Sequence, residues 1–97
     1  MEIHTMSGFV CDVNEKRAKD WRFARALADW DSGDESRAVK GVTAAIPLLL
    51  GKDGEEKLME HIADEDGIVD SETMISEFKE IIVLMGAEVK KSQPSPE

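Results

Sequence analysis

The stretch His61-Ile-Ala-Asp-Glu-Asp-Gly-Ile-Val-Asp-Ser-Glu-Thr-Met-Ile-Ser-Glu-Phe78, HIADEDGIVDSETMISEF, decides the fold. It sets an acidic, glycine-bearing turn between two runs of helical periodicity. Behind the turn, Met74, Ile75, Phe78, Ile81, Ile82 and Met85 recur three and four residues apart, the spacing of one helix face. Asp70 or Ser71 suits the N-cap of that helix and Gly86 its C-cap. Ahead of the turn, Leu58, Met59 and Ile62 form the inner face of another helix, and Asp53-Gly-Glu-Glu56 has the spacing of a capping box. The stretch therefore predicts a hinge between helices, with Gly67 at positive φ, the aspartates accepting hydrogen bonds from turn amides, and Val69 directed at the core.

Toward the N-terminus, Pro47 interrupts a pattern carried by Ala38, Val39, Val42, Ala45 and Ile46. Proline inside a helix lacks a donor and crowds the preceding turn, so a kink or a fresh turn is expected from Pro47 to Leu50, ended by Gly51. Ser32-Gly33-Asp34 separates this segment from an earlier helix that begins at an Asn14 cap and carries Trp21, Phe23, Ala24, Leu27, Ala28 and Trp30. Residues 2–13, EIHTMSGFVCDV, alternate around Ser7-Gly8 and read as a short hairpin with Ile3, Phe9, Cys11 and Val13 on its buried face. The expected fold is mainly α: a small bundle of about four helices preceded by a short N-terminal β-hairpin, one domain over 1–89. The polar, proline-containing end, 90–97, has nothing to bury and is expected to be a disordered tail.

With 97 residues, 41% of them hydrophobic, the chain suffices for one modest core. Twelve basic residues against 21 acidic ones leave a net charge of -9, which disfavours nucleic acid and anionic membranes as partners. No apolar run reaches the roughly 20 residues of a membrane span, and the first residues lack a signal-peptide layout, so a soluble, unexported protein is expected. The single Cys11 has no second thiol to pair with and reads as structural.

Little in the chain supports chemistry. His4 and His61 stand apart with no spaced ligand partners, there is no tyrosine, and no pair of acids is marked out as general acid and base. No catalytic residues, cofactor or enzymatic activity are expected. The acidic turn invites comparison with a calcium EF-hand loop. With Gly67 at the sixth position, Asp64 and Asp66 take the third and fifth, Val69 the eighth and Asp70 the ninth. The first and twelfth positions are then Ile62 and Thr73, and Glu72 falls one place early, swung by about 100°. The two anchoring ligands are missing, so no metal site is expected. A degenerate site using Asp64, Asp66 and Asp70 is the alternative.

A surplus of large apolar residues on an acidic body points instead to protein binding. Trp21, Phe23, Trp30, Leu48, Leu49 and Leu50 are the candidate contact residues, with Met59, Met74 and Met85 as adaptable support. Self-association through the leucine triplet or the hairpin edge is a further possibility.

The succession of T-x-S-G-F at Thr5 to Phe9, an Asp20-Trp21 helix opening, LLLGKDGEEKLMEHI at Leu48 to Ile62 and DEDGIVDSETM at Asp64 to Met74 resembles the tail assembly chaperones of long-tailed phages and prophages of Gram-positive bacteria. The resemblance runs from about Thr5 to Gly86. It implies a protein that acts in the bacterial host cytoplasm during tail morphogenesis, binds the tape-measure protein, helps recruit the major tail (tube) protein, and is absent from the mature virion. It also implies that a longer, frameshifted product sharing this N-terminal region can exist. The resemblance designates no contact residues. The residues leave open two other readings, a calcium-responsive EF-hand-like protein and a small acidic adaptor or inhibitor with one globular partner.

Overall fold

The computed structural model describes residues 1–92. Its elements are β1 (Glu2–His4), β2 (Val10–Asp12), α1 (Glu15–Ala18), α2 (Trp21–Trp30), α3 (Glu35–Ile62) and α4 (Ser71–Ser92). This is the expected helical fold behind a hairpin.

The strands pair antiparallel with Ile3 opposite Cys11. The turn closes through the Thr5 amide donating to the Phe9 carbonyl at 2.9 Å, with Gly8 at φ 93°. A two-stranded ribbon is marginal alone, and here it is fastened to the helices. Ile3, Phe9 and Val13 are buried, the Met6 amide donates to Glu80 Oε2 at 2.7 Å, and Ser7 Oγ lies 3.0 Å from His61 Nε2. The Phe9 and His61 rings meet at 5.3 Å. Cys11 is half-buried on the inner side, and burial, reinforced by neighbouring Asp12, pushes its thiol pKa up and keeps it protonated and inert.

The helix expected from Asn14 onward is two helices. Asn14 does cap α1, accepting from the Lys16 amide at 2.9 Å, but the chain leaves the helix at Asp20 (φ -67°, ψ 133°). There the Asp20 carboxylate accepts from the Arg22 amide at 2.8 Å and recaps the chain as α2. A short acidic side chain competes with the backbone for such donors, and at this point it wins. Asp34 caps α3 in the same way, accepting from the amides of Ser36 and Arg37.

In α3 the interruption falls not at Pro47 but at Gly51, the expected end of the Pro47–Leu50 turn. Pro47 stays within the helix, and the non-helical residue is Gly51 (φ 77°, ψ 167°). The bend falls on the residue without a Cβ, where positive φ costs least. Helical turns then run on through Asp53, so the capping box expected at Asp53–Glu56 is not used.

Helix α4 buries Phe78, Ile81 and Met85 and half-buries Met74, Ile75 and Ile82, as the stripe requires. Gly86 does not end it. The helix continues to Ser92, past the expected domain boundary at 89, and the rest of the expected tail, 93–97, lies outside the described residues. A Cβ at Gly86 would meet nothing within 4 Å. Gly86→Ala is therefore expected to stabilise the protein by about 0.5–1 kcal/mol, read as a rise of a few degrees in a thermal melt.

One core joins all layers: Ile3 and Val13 from the hairpin, Phe23 and Ala26 from α2, Val42, Ile46, Leu49 and Leu58 from α3, Phe78 and Ile81 from α4. No helix among the described residues is long and apolar enough to cross a membrane.

Candidate functional site

The six candidate contact residues do not form one surface. Phe23 is 2% exposed and Leu49 1%, so both are core and leave the candidate set. Their helical stripes carry more apolar residues than the sequence could sort into inside and outside, and packing of α2 on α3 did the sorting. Trp21, 75% exposed, projects at the start of α2. Nine residues at about 100° each turn Trp30 to the opposite side of that helix. Leu48 lies in a cleft between α2 and α3, and Leu50 in a concavity bordered by β2. The leucine triplet is thus divided between the core and two different surfaces, and offers no continuous patch for self-association.

Trp30 is the candidate that lies in an apolar groove. Between α2 and α4, a groove of about 380 Å³ is lined by Leu27, Trp30, Ile82 and Val83, with Asp31 and Lys79 as its charged members. Phe78 anchors it from beneath, its ring 5.8 Å from that of Trp30 and inclined by 26°. The indole is thereby held by the core on one side while the groove wall stays open, Val83 being 66% exposed. A large aromatic fixed by packing gives contact area at little entropic cost. Sequence reasoning overlooked Val83 and Lys79. The available signal was that Val83 is a large apolar residue lying off the stripe that α4 turns to the core.

The acidic turn is built as a hinge. Asp64 Oδ1 accepts from the amides of Asp66 at 2.9 Å and Ile68 at 3.0 Å, Gly67 takes φ 78°, and the Gly67 amide donates to the Asp64 carbonyl. Asp70 Oδ2 accepts from the Thr73 amide at 3.0 Å and the Thr73 hydroxyl at 2.8 Å, capping α4. Thus Asp64 and Asp70 direct carboxylate oxygens at their own backbone, and Asp66 is exposed. Val69 is half-buried, whereas Ile68 is 61% exposed.

The two aspartate caps respond to pH. The Arg22 guanidinium, and then the Arg22 amide, hold the Asp20 carboxyl down at about 2. Hydrogen bonds from Thr73, backbone first, also lower that of Asp70. A folded pKa below the unfolded one means stabilisation that is present above the unfolded value, near 4, and lost as pH falls through the folded value. The double variant Asp20→Asn/Asp70→Asn keeps capping oxygens but cannot titrate. Its melting temperature is expected to fall less than that of the wild type between about pH 4 and pH 2, as followed by circular dichroism.

A second surface feature differs in sign from the rest of the chain. Arg22, Arg25 and Lys40 border the α2–α3 cleft, over Ala26, Ala44 and Leu48. Comparison with protein families, with characterised proteins and with solved structures gives no match to this chain.

Proposed function

We propose that this protein is a tail assembly chaperone that covers apolar helical segments of a tape-measure protein, seating them in the α2–α4 groove, and helps recruit tail-tube subunits. The observation that carries the binding role is the groove itself: an open apolar trough with Trp30 fixed at its base and Val83 66% exposed, on a chain of net charge -9. An amphipathic helix laid in such a groove buries its apolar stripe. The choice of partner is supported by the resemblance of the Leu48–Ile62 and Asp64–Met74 segments to that family.

The mechanism needs only modest affinity. Burying apolar area at about 25 cal/mol per Å² favours docking, and many copies on one long ligand multiply a weak contact. The acidic outer face keeps the coated ligand dispersed, and weak single contacts let tube subunits displace the chaperone.

The experiment is a titration of the tape-measure protein, or its helical fragments, encoded beside this chain, followed by calorimetry. Val83→Glu places a charge in the groove wall without touching the core and is expected to weaken binding at least about tenfold, equivalent to about 1.4 kcal/mol, with the melting temperature unchanged. Trp21→Ser, on the other side of α2, is expected to bind as the wild type does. Equal binding by Val83→Glu would refute the groove, and absence of any interaction would refute the partner.

A further inference from the structure

We infer that the open edge of β2 is a docking site for an extended, cationic segment of a partner protein, which adds to the hairpin as a third strand. The edge is separate from the site of the proposed function: the concavity beside β2 and the α2–α4 groove share no lining residue.

The ladder decides which backbone groups of the ribbon are left over. The Thr5 amide donates to the Phe9 carbonyl at 2.9 Å and the Val13 amide to the Met1 carbonyl at 2.7 Å, so Thr5–Phe9 and Met1–Val13 are hydrogen-bonded pairs. Alternation along an antiparallel ladder makes Ile3–Cys11 the third such pair. The pairs between them, Glu2–Asp12 and His4–Val10, turn their N–H and C=O groups away from each other. On β2 the amides and carbonyls of Val10 and Asp12 therefore face outward, and among the described residues no turn, loop or cap bond of the backbone uses them. Lysine and proline, the usual guards of an exposed edge, are absent from Val10-Cys11-Asp12.

Space for a third strand lies beside that edge. A concavity of about 260 Å³ is lined by Cys11 and Asp12 on β2 and by Leu50, Asp53, Gly54 and Lys57 on α3. Side chains alternate along a strand, and Cys11 shares the inner face of the ribbon with buried Ile3, Phe9 and Val13. A residue set opposite Cys11 in an added strand therefore points inward, over Leu50 and Gly54, and its neighbours point outward beside Val10 and Asp12. Charge selects the occupant. Asp12, its side chain 87% exposed, accepts from the Met1 ammonium at 3.0 Å through one oxygen. Asp53 is exposed and, among the described residues, has no ion-pair partner. Against these two acids the concavity holds one base, Lys57. With a net charge of -9 on each chain, a second copy is repelled from this edge and a cationic segment is drawn to it. The segment that fits alternates small apolar residues, directed into the concavity, with β-branched or basic ones. Main-chain bonds to Val10 and Asp12 supply its affinity, and the concavity supplies its selectivity.

The test uses the full chain and the fluorophore-tagged peptide acetyl-Thr-Val-Lys-Val-Thr-Val-Lys-amide, followed by fluorescence anisotropy. Saturable binding with a Kd below about 1 mM is expected. In an antiparallel pairing with the valines inward, the lysine and threonine amides of the peptide face β2 and its valine amides face away. N-methylation of the central lysine and threonine amides is expected to weaken binding at least about tenfold, and N-methylation of two valine amides to change it by less than about twofold. Bound peptide covers Cys11, so alkylation of its thiol by iodoacetamide, read by mass spectrometry, is expected to slow in proportion to occupancy. Val10→Pro deletes an outward donor and no ladder bond, and is expected to weaken binding at least about fivefold. Asp53→Lys, exposed on α3, is expected to weaken binding while its circular dichroism melt matches wild type. Val83→Glu, which alters only the α2–α4 groove, is expected to bind the peptide as wild type does, so failure of the edge and failure of the groove are told apart. Absence of saturable binding overturns the inference. So do equal effects of the two methylated sets, or Cys11 alkylation that the peptide leaves unchanged. A chain that ignores the peptide and forms a dimer dispersed by Val10→Pro also overturns it, a second copy then being the occupant of the edge.

Discussion

Gly41→Ala is expected to cost the fold about 3 kcal/mol or more, although alanine is the better helix former by about 1 kcal/mol. Gly41 is buried where α3 crosses α2. A Cβ there would collide with the Trp30 backbone nitrogen and lie 2.5 Å from the Ala26 carbonyl oxygen and 2.9 Å from the Asp29 carbonyl carbon. All three obstacles are main-chain atoms, so no change of rotamer relieves them and the two helices must move apart. Separating them opens the packing of Phe23, Ala26, Val42 and Ala45, which is central to the core. For a domain of this size the melting temperature is expected to fall by at least about 12 °C, with Gly41→Val worse. Gly54→Ala is the internal comparison. Its new Cβ would lie 2.8 Å from the Leu50 Cβ, a single close contact within α3 in place of three main-chain atoms of a crossing helix, so a smaller loss is expected. A Gly41→Ala protein melting within a few degrees of wild type would show that α2 and α3 are not in this close contact.

The second large effect is expected at Phe78, which is fully buried and supports Trp30 from beneath. Phe78→Ala removes a ring from the core and leaves a cavity, a loss of about 3–5 kcal/mol. Set against a total stability of about 5–15 kcal/mol for a small domain, that brings much of the population close to unfolding. Urea denaturation followed by circular dichroism measures the loss, and an unchanged dependence on urea would indicate that the denatured state is unaffected. Phe78→Leu, which refills most of the space, is expected to lose less than about 1.5 kcal/mol. Because the groove rests on this ring, Phe78→Ala is also expected to shift tryptophan emission to longer wavelength under conditions where the chain is still folded. A loss below 1 kcal/mol would argue against a packed core at this position.

The acidic groups at Asp20, Asp34 and Asp70 show why local chemistry is only partly readable. Each has the short carboxylate that an N-cap needs; Asp70 caps as expected, and Asp34, in the Ser32-Gly33-Asp34 break, caps α3. By spacing alone Asp20 lay inside one helical stripe running from Asn14, and it was the Asp20-Trp21 pair of the family pattern, not the apolar spacing, that marked a helix opening there. The reverse happened at Pro47 and Gly86, each of which looks like a helix terminator. Pro47 is carried within α3 and the bend is borne by Gly51; Gly86 is carried within α4, where no turn forms. Breakers mark where an interruption is cheap, and the surrounding packing selects among the cheap places.

The helical character of the chain, the hairpin around Ser7-Gly8, the turn at Gly67 and the buried stripe of α4 are consequences of periodicity and turn chemistry, which act between residues close in sequence. Their legibility follows from that locality. Which tryptophan stands in solvent, which leucines are sealed, and how Leu27, Trp30, Ile82 and Val83 meet in one groove depend on the crossing of α2 over α3 and on α4 folding back beneath Trp30. So does the meeting of Arg25 with Lys40. Arg25 and Lys40 are 15 residues apart and Leu27 and Ile82 are 55, and their proximity is set by the fit of whole helices, down to a glycine where no Cβ can stand.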